Sequence, residues 1–313
     1  MLSFFSPSRK TGWLSILSQE GKVTLAHVVQ HPGKRPEVLL LESFAVESSE
    51  REALQRLNSA RRLKSYRCTT LLGEGAYNIA QFDAPPVPRE ERKEALRWSL
   101  RDVVNYPVEN ACIDLLDVPS DGVPGRAAGV LVVSASERAV RVRAEPFEEA
   151  RVPLEVVDVP ELAQRNVAAL LEDENRGLVF LRVDESGVML TLTYRGELVA
   201  VRRGEMNTRQ MLANDPDQRA RVRERLVLEL QRSLDNFDRQ YSSIPVSRVV
   251  LATCPRVDGL AAELAANVYV PVQEFDLATV IDFPSIPELR DADCQAGNLL
   301  AIGAALRSGE GGV

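Results

Sequence analysis

The feature that most limits the possible folds of this chain is a strand–turn–strand pattern that occurs twice. Residues 12–25 read GWLSILSQEGKVTL, and residues 177–192 read GLVFLRVDESGVMLTL. Each copy starts at a glycine, runs through an apolar strand, turns at a second glycine (Gly21 or Gly187) and enters another alternating strand. A third strand and, further on, a helix follow each copy. The repeat predicts two structurally related lobes, each built on a β-meander.

The segment between the two copies, residues 154–177, predicts a strand followed by a helix. It begins with the apolar run LEVV. Asp158 lies three residues before Glu161, with Pro160 between them, which is the spacing of a capping box at a helix start. Apolar residues then recur at helical spacing, at Leu162, Ala163, Val167, Leu170 and Leu171. We interpret this segment as the bridge between the lobes.

The length of 313 residues is sufficient for two lobes that each have a core. We predict a first lobe at residues 1–175 and a second lobe at residues 176–313. The proline-rich stretch 84–88 marks a boundary inside the first lobe, and short helices and strands follow it. The sequence therefore predicts an α+β subdomain inserted at about residues 84–150.

Composition and charge exclude several classes of protein. Apolar residues make up 45% and charged residues 27% of the chain, as in soluble globular proteins. The net charge of −7 argues against a general nucleic-acid binder. The four cysteines form no CxxC pair and there are two histidines, so the sequence contains no zinc-binding pattern. No apolar run approaches the ~18 residues that a membrane-spanning helix needs. These properties predict a cytosolic protein with reduced cysteines.

The first ten residues, MLSFFSPSRK, combine apolar side chains with two cations. Leu2, Phe4 and Phe5 precede Arg9 and Lys10. A helix that lies in a membrane surface normally needs a longer amphipathic stretch. The sequence therefore favours an N-terminus that is disordered or packed on the lobe. Contact with a membrane surface is the alternative.

A helix that Pro88 opens carries a tryptophan away from its apolar face. That face contains Leu96, Leu100 and Val103. At 100° per residue, Trp98 lies on nearly the opposite side, flanked by Arg97 and Arg101. Trp98 either packs against neighbouring strands or lines a groove for a partner, since tryptophan and arginine are enriched at binding hot spots. The sequence leaves both interpretations open.

Four stretches together resemble a known family. They are ALRWSLRDVVNYPV (95–108), LEVVDVPELAQRN (154–166), LELQRSLDNFDRQY (228–241) and LLAIGAALR (299–307). Their order and spacing resemble the MshI family of mannose-sensitive hemagglutinin (MSHA) pilus biogenesis proteins, which is related to the type IV pilus assembly protein PilM. The resemblance covers about residues 10–307. It implies an α/β chain with the actin-like ATPase fold, in which two ribonuclease-H-like lobes carry an inserted subdomain. It also implies a cytoplasmic protein held at the inner membrane by the N-terminal tail of a PilN-like (MshJ-type) partner.

The resemblance implies an ATP and magnesium site, but this sequence departs from its motifs. The first hairpin has no aspartate at its entrance. In the second hairpin, Arg182 and Asp184 stand where the family has Asp and Gly. Without these residues the backbone cannot closely approach phosphate and magnesium loses its anchor. We therefore expect no ATP hydrolysis.

A second departure follows the strand at 249–252, where Thr253, Cys254 and Pro255 replace the Gly-Gly pair that lets adenosine approach the backbone. If ATP binds at all, the remaining contacts implied by the resemblance are Gly187, Thr191 and Gly259.

Three hypotheses follow. The first is a non-catalytic scaffold for assembly of an MSHA-type pilus. It would bind the PilN-like tail in a groove between the inserted subdomain and the first lobe, near Arg97, Trp98 and Arg101, and relay contact to the pilus assembly ATPase. The second is an ATP-gated switch or weak ATPase in the same machine. The third is a sugar or acyl kinase of the same superfold, although no isolated catalytic aspartate supports it.

Overall fold

A computed structural model describes residues 9–19, 21–119 and 129–307 of the chain. Most of the N-terminal stretch discussed above (1–8), a turn predicted at 121–126 and the C-terminal tail at 308–313 lie outside these ranges. The strands are β1 Trp13–Gln19, β2 Lys22–Val29, β3 Glu37–Ala45, β4 Arg67–Leu71, β5 Tyr77–Asp83, β6 Ala111–Asp117, β7 Gly129–Ser136, β8 Leu154–Asp158, β9 Gly177–Val183, β10 Val188–Tyr194, β11 Glu197–Gly204, β12 Val246–Thr253 and β13 Val272–Glu274. The helices are α1 Glu50–Arg61, α2 Arg92–Arg97, α3 Glu137–Glu149, α4 Pro160–Leu171, α5 Thr208–Met211, α6 Pro216–Gln240, α7 Leu260–Ala265, α8 Ala292–Gly297 and α9 Leu299–Ala305.

Two sheets with the same topology confirm the internal repeat. Within the described residues, the first sheet has the order β3-β2-β1-β4-β8 and the second has the order β11-β10-β9-β12-β13. In each, the first three strands form an antiparallel meander and the last two run parallel to the central strand direction. Both meanders turn at a glycine with positive φ, Gly21 in the first and Gly187 in the second. This order is that of a ribonuclease-H-like lobe, present twice.

Two helices pack across the boundary between the sheets. Helix α4 follows the last strand of the first sheet but contacts β9, β10 and β11 of the second. Helix α9 follows the second sheet but contacts β1, β2 and β4 of the first. The two helices also pack on each other, within a single buried cluster that includes side chains from both sheets. The lobes are therefore joined by a shared helical layer as well as by the connecting chain.

The contact between α4 and α9 is close enough to require a glycine. A Cβ on Gly303 would lie 2.1 Å from the carbonyl oxygen of Ala163, far inside van der Waals contact. The side chain of Asn166 donates a 2.8 Å hydrogen bond to the Gly303 carbonyl. On the opposite side, Ser15 of β1 donates a 2.6 Å hydrogen bond to the carbonyl of Ala301. These bonds fix α9 between α4 and the first sheet.

A third sheet, of order β5-β7-β6, forms the small subdomain. Leu96 and Leu100 from the helical segment around α2 cover one face of it, where they pack with Val130 and Val132 of β7. Strand β5 belongs to this sheet although it precedes residue 84. The boundaries of the lobes and of the inserted subdomain stay a prediction.

Three local expectations need correction. The capping box is wrong, because Val159 is the N-cap of α4 and the Asp158 carboxylate accepts from the Val159 amide at 2.8 Å. The helix predicted after Pro88 is a short α-helix flanked by 3₁₀ turns. The helix predicted at 291–307 is broken at Asn298 into α8 and α9. In each case a helix was predicted in the right region, but the residues at which it begins, ends or breaks were not.

Candidate functional site

A groove separates the small subdomain from the first sheet. It has a volume of about 310 Å³. One wall is the face of the small sheet that α2 does not cover, and the other is made by the carboxyl ends of β4 and β8, helix α3 and the start of α4. The lining residues are Leu72, Lys93, Cys112, Ile113, Asp114, Leu116, Val133, Ala135, Val140, Val157, Asp158, Val159 and Leu162. All of them come from residues 72–162, so the groove is built by one continuous part of the chain.

The groove combines an apolar floor with a polar rim. Val133, Val140 and Leu162 are partly buried side chains of the floor. At the rim, the Lys93 ammonium lies 2.8 Å from the Asp114 carboxylate, and both side chains are exposed. Strand β6 pairs with β7 and, among the described residues, with no other strand. Its outer edge therefore presents backbone groups beside the apolar floor.

Asp158 lies at the end of β8, at the base of the groove. Its side chain is 6% exposed and forms an ion pair with Arg307, which follows α9. Burial raises the pKa of the Asp158 carboxyl, and the Arg307 charge opposes this shift. The pair ties the carboxyl end of the described chain to the groove wall and supplies the countercharge that a buried carboxylate needs.

The three predicted partner residues lie on the helical segment beside the groove rather than in its lining. Arg97 is tied to the subdomain, since its guanidinium donates to the carbonyls of Val108 and Ala111 at 3.0 Å. Trp98 is 53% exposed. The Arg101 guanidinium lies 4.9 Å from the centre of its ring. Trp98 is therefore not part of a buried cluster, and its role in binding a partner stays a prediction.

The second hairpin, where the resemblance implies phosphate contacts, is filled by its own side chains. The Asp184 carboxylate accepts hydrogen bonds from the backbone amides of Ser186 and Gly187, at 2.8 and 3.2 Å. It also forms an ion pair with Arg182. Burial lowers the pKa of the Arg182 guanidinium, and the Asp184 charge opposes this effect. The backbone amides of this turn that could bind a phosphate already donate hydrogen bonds to the Asp184 carboxylate.

A hydrogen-bonded network closes the space beside this hairpin. Glu161, at the start of α4, is 2% exposed and lies 2.7 Å from the guanidinium of Arg203 on β11. The Tyr77 hydroxyl donates to Glu161 at 2.6 Å and accepts from Arg203 at 2.5 Å. Burial raises the pKa of Tyr77, and the negative charge of Glu161 raises it further. The Arg203 guanidinium also pairs with Glu74 at 3.1 Å. Residues from the small subdomain, α4 and the second sheet are thereby connected.

The other predicted nucleotide contacts do not converge on a cavity. Thr191 is fully buried, and its hydroxyl accepts a 3.0 Å hydrogen bond from Gln164 of α4. Gly259 has φ 77° and precedes α7. The cavity next to Thr253 has a volume of about 30 Å³. That volume holds one or two water molecules.

Sequence patterns did not identify the residues that line the groove. Cys112 and Asp114 face it because β6 is the edge strand of the small sheet, and this strand order has no signal in the sequence. Lys93 had a weak signal, since it precedes Arg97 by one helical turn on the same face. Glu161 was assigned to a helix cap, whereas its partner Arg203 is 42 residues away.

Neither a protein-family model nor a curated protein sequence matches the chain. Among solved structures, the chain is similar to the PilM-PilN type IV pilus biogenesis complex, with a TM-score of 0.75 and 20% identity over 95% of this chain and 98% of that chain. A Bacteroides thetaiotaomicron protein with an actin-like ATPase fold has a TM-score of 0.46 and 13% identity, over 96% of this chain and 98% of that chain. The cytoplasmic domain of EpsL, an inner-membrane component of the Vibrio cholerae type II secretion system, has a TM-score of 0.49 and 13% identity, over 95% of this chain and 96% of that chain.

These findings define the class of the protein by its fold. Two sheets of ribonuclease-H-like order, a small inserted sheet and the similarity to the PilM-PilN structure confirm the α/β actin-like ATPase fold. Among the described residues, no helix is both long and apolar enough to cross a bilayer.

Proposed function

We propose that this protein is a cytoplasmic scaffold of a type IV pilus assembly machine of the MSHA type. It binds the cytoplasmic tail of a PilN-like (MshJ-type) inner-membrane protein and through it is peripheral to the inner membrane. The groove between the small subdomain and the first sheet carries this proposal. It occurs in a chain whose fold is similar to that of a complex between PilM and PilN. Contact with the pilus assembly ATPase is a further part of the proposal.

The physical character of the groove suits an extended peptide. A volume of about 310 Å³ is in the range of ligand pockets. The free edge of β6 supplies backbone donors and acceptors to a strand-like segment, and the floor at Val133, Val140 and Leu162 accepts apolar side chains. Such a peptide gains affinity from its main chain and specificity from alternate side chains.

The predicted partner residues extend this surface. Lys93 lines the groove, and Arg97 and Arg101 follow it at intervals of four residues. We propose that a tail leaving the groove passes this row and contacts Trp98, whose exposed ring is stacked by Arg101. All of these residues belong to the proposed first lobe, residues 1–175. The proposed second lobe, residues 176–313, supports the groove through α9, which packs on α4 of the first lobe.

We also propose that the protein is a pseudo-ATPase. ATP and magnesium do not fit the residues present, since the Arg182–Asp184 pair occupies the second hairpin and the buried Thr191 hydroxyl is hydrogen-bonded to Gln164 of α4. The cavity of about 30 Å³ beside Thr253 is too small for an adenosine group. Calorimetric titration with a non-hydrolysable ATP analogue and magnesium is expected to give no heat. Saturable binding in the micromolar range would favour an ATP-gated switch instead.

The groove is tested by titrating a fluorescent peptide of the PilN-like tail and measuring anisotropy. Val140→Asp places a charge on the apolar floor and should weaken binding at least about 30-fold, the equivalent of roughly 2 kcal/mol. Val142→Asp is the matched control, because Val142 lies on the same helix with a side chain that is 59% exposed. Equal affinity of the two variants would contradict the groove as the binding site.

The extension is tested separately in the same titration. Trp98→Ala should weaken binding about 5- to 30-fold without changing the melting temperature, because the ring is exposed. If Trp98→Ala binds as tightly as the wild type while Val140→Asp does not, the tail ends within the groove and the predicted row is not part of the site.

A further inference from the structure

A cavity in the proposed second lobe lies between the second sheet and α6. Its volume is about 220 Å³. Buried apolar side chains from β9, β10, α6 and the segment after β11 form its inner wall: Leu181, Val188, Leu190, Met206, Leu226 and Leu230. None of its lining residues lines the groove, and Gly187, Thr191 and Gly259 do not line the cavity. The cavity is therefore separate from the groove and from the nucleotide contacts that the family resemblance implies.

Two exposed arginines from facing elements lie at the opening of this cavity. Arg202 is directly opposite Leu190 in the pairing of β10 with β11, so its side chain leaves the sheet on the side that α6 covers. Arg225 belongs to α6 and lines the cavity from the other side. Arg203, the next residue of β11, points to the opposite face of the sheet, where it pairs with Glu161 of α4. The alternation of the strand thus directs one of two neighbouring guanidinium groups to the cavity.

The two arginines at the opening have no countercharge. In the part of the chain that the structure describes, neither guanidinium forms an ion pair, and Arg202 donates a single hydrogen bond, to the carbonyl of Val201 at 2.9 Å. Two carboxylates also line the cavity. Glu229 pairs with Arg232 at 3.1 Å, whereas Glu205 is exposed and forms no ion pair with another described residue. Two free cations and one free carboxylate leave an excess of one positive charge at the opening, which attracts a monoanion.

A buried hydroxyl group in the cavity wall has no hydrogen-bond partner. Ser233 of α6 is 8% exposed and lines the cavity. Among the described residues, no group accepts from or donates to its hydroxyl, although buried polar side chains are usually hydrogen-bonded. Ser233 follows Arg225 on the same face of the helix, and about 12 Å separate the two positions along the helix axis. A ligand that enters beside the arginines and extends along α6 therefore reaches an unused polar group.

We propose that this cavity binds a small amphiphilic carboxylate. The carboxylate head lies between Arg202 and Arg225, since planar guanidinium groups bind carboxylates through paired hydrogen bonds. The apolar body packs against the leucine-rich wall. A cavity of roughly 150 Å³ holds a benzene ring, so about 220 Å³ holds an apolar body of about eight carbon atoms. A polar atom at the far end of the ligand bonds with Ser233.

The charge at the opening favours a carboxylate over a phosphate head group. An alkyl phosphate carries close to two negative charges at neutral pH, whereas the opening has one positive charge in excess. The exposed carboxylate of Glu205 repels the second negative charge. Because the cavity shares no lining residue with the groove, this site does not depend on the function that we propose for the groove.

Calorimetric titration of the full chain with octanoate tests the head group and the apolar body together. Octanoate should bind saturably, and octanol, which has the same chain without the charge, should bind at least about tenfold more weakly. Octyl phosphate should bind no more tightly than octanoate. The proposal is overturned if octanoate shows no saturable binding, if octanol binds as tightly, or if octyl phosphate binds more tightly. Displacement of octanoate by a non-hydrolysable ATP analogue would also overturn it, because the cavity would then be a nucleotide site.

Variants of the two arginines place the ligand in the cavity. Arg202→Gln with Arg225→Gln should weaken octanoate binding about 100-fold, since the loss of each charge-assisted hydrogen bond costs about tenfold. Arg138→Gln with Arg239→Gln is the matched control, because both residues are exposed, neither lines the cavity, and the net charge changes equally. Equal losses in the two double variants would contradict the site.

The hydroxyl group is tested with a second ligand. Wild-type protein should bind ω-hydroxyoctanoate about three- to tenfold more tightly than octanoate, and Ser233→Ala should remove this preference while keeping its affinity for octanoate. A preference that persists in Ser233→Ala would contradict the proposed orientation of the ligand. Affinity for the PilN-like tail peptide, measured in parallel, should not change in any of these variants, so a failure of this site is distinguishable from a failure of the groove.

Discussion

The groove and the second hairpin both lie near the first turn of α4, yet they differ in what they can accept. The groove has an apolar floor and a free strand edge. The hairpin is occupied by the Arg182–Asp184 pair and is enclosed by the network around Glu161. The groove therefore has apolar and backbone groups available to a ligand, whereas the polar groups of the hairpin are paired with each other.

Under the function we propose, this difference is the reason that a chain with the actin-like ATPase fold binds a peptide and not a nucleotide. In the hairpin, a guanidinium and a carboxylate are placed where the family resemblance implies a metal ligand and a glycine. They neutralise each other and hold the turn closed. The lobes are then kept together by the α4–α9 layer and by ion pairs that do not need a ligand.

The largest effect is expected from removing the buried ion pair of the second hairpin. Arg182→Ala leaves the Asp184 carboxylate without its countercharge in a largely buried position and should destabilise the protein by roughly 3–5 kcal/mol. Urea unfolding followed by circular dichroism measures this change.

The control for that variant is Arg209→Ala. It removes an exposed cation that pairs with Glu185 in the same hairpin, and it should change stability by less than about 1 kcal/mol. Equal effects of Arg182→Ala and Arg209→Ala would show that the hairpin is not held by its buried pair.

The second prediction disturbs both sites through the helix layer they share. Gly303→Ala forces a methyl group against the carbonyl of Ala163 and should cost about 1–3 kcal/mol. The shift of α4 should also weaken peptide binding, because Leu162 lines the groove. Ala304→Gly, at the neighbouring position of α9, reports the effect of a changed helix residue without the clash. If Gly303→Ala is as stable as the wild type, the close approach of the helices is not needed.

The third prediction uses pH to change the charge of a buried histidine in the first sheet. His27 of β2 is buried, and its Nε2 group donates a 2.8 Å hydrogen bond to the carbonyl of Thr11. Burial lowers the pKa of His27 below its ordinary value of about 6.5. The unfolded chain then binds the proton first, so stability is present above pH ~6.5 and is lost as the pH falls toward the folded pKa.

Melting temperatures measured from pH 7.5 to pH 5 check this effect. The wild type should lose up to about 1.4 kcal/mol per pH unit below pH ~6.5, and His27→Gln should lose less. His31→Gln removes the exposed imidazole and is the control. Parallel curves for the wild type and His27→Gln would contradict a lowered pKa.

The smallest expected effect on stability comes from modifying a cysteine in the groove, which tests whether the groove is accessible to solvent. Cys112 is exposed in its lining, whereas Cys68 is fully buried. Burial raises the pKa of Cys68 to about 12 and suppresses its thiolate. Brief treatment with N-ethylmaleimide, followed by mass spectrometry, should modify Cys112 well before Cys68 and change stability by less than about 0.5 kcal/mol. Faster modification of Cys68 would mean that the first sheet, not the groove, is accessible.

The sequence was informative wherever structure depends on neighbouring residues. In and just after α6, apolar residues recur at intervals of three or four positions, which predicts a helix with one buried face. They are Leu226, Leu230, Leu234, Phe237 and Tyr241, and all are buried. The paired meanders followed from apolar strands and turn glycines. The groove was predicted in its general place, between the small subdomain and the first sheet. The residues that line it were not predicted. Trp98 was proposed because of its residue type, whereas Cys112 faces the groove because of the strand order, which has no local sequence pattern.

The sequence by itself determined the strands, the turns, most helices and the doubled topology, since these depend on periodicity and on residues with special backbone preferences. It also indicated that the second hairpin departs from the motif that the family resemblance implies, because Arg182 and Asp184 can be read directly from the sequence. Only the tertiary structure decided that α4 and α9 cross between the sheets and that Arg203 pairs with Glu161. These contacts join residues that are 42 to 286 positions apart, and no short-range pattern specifies which distant side chains the folded chain will bring together.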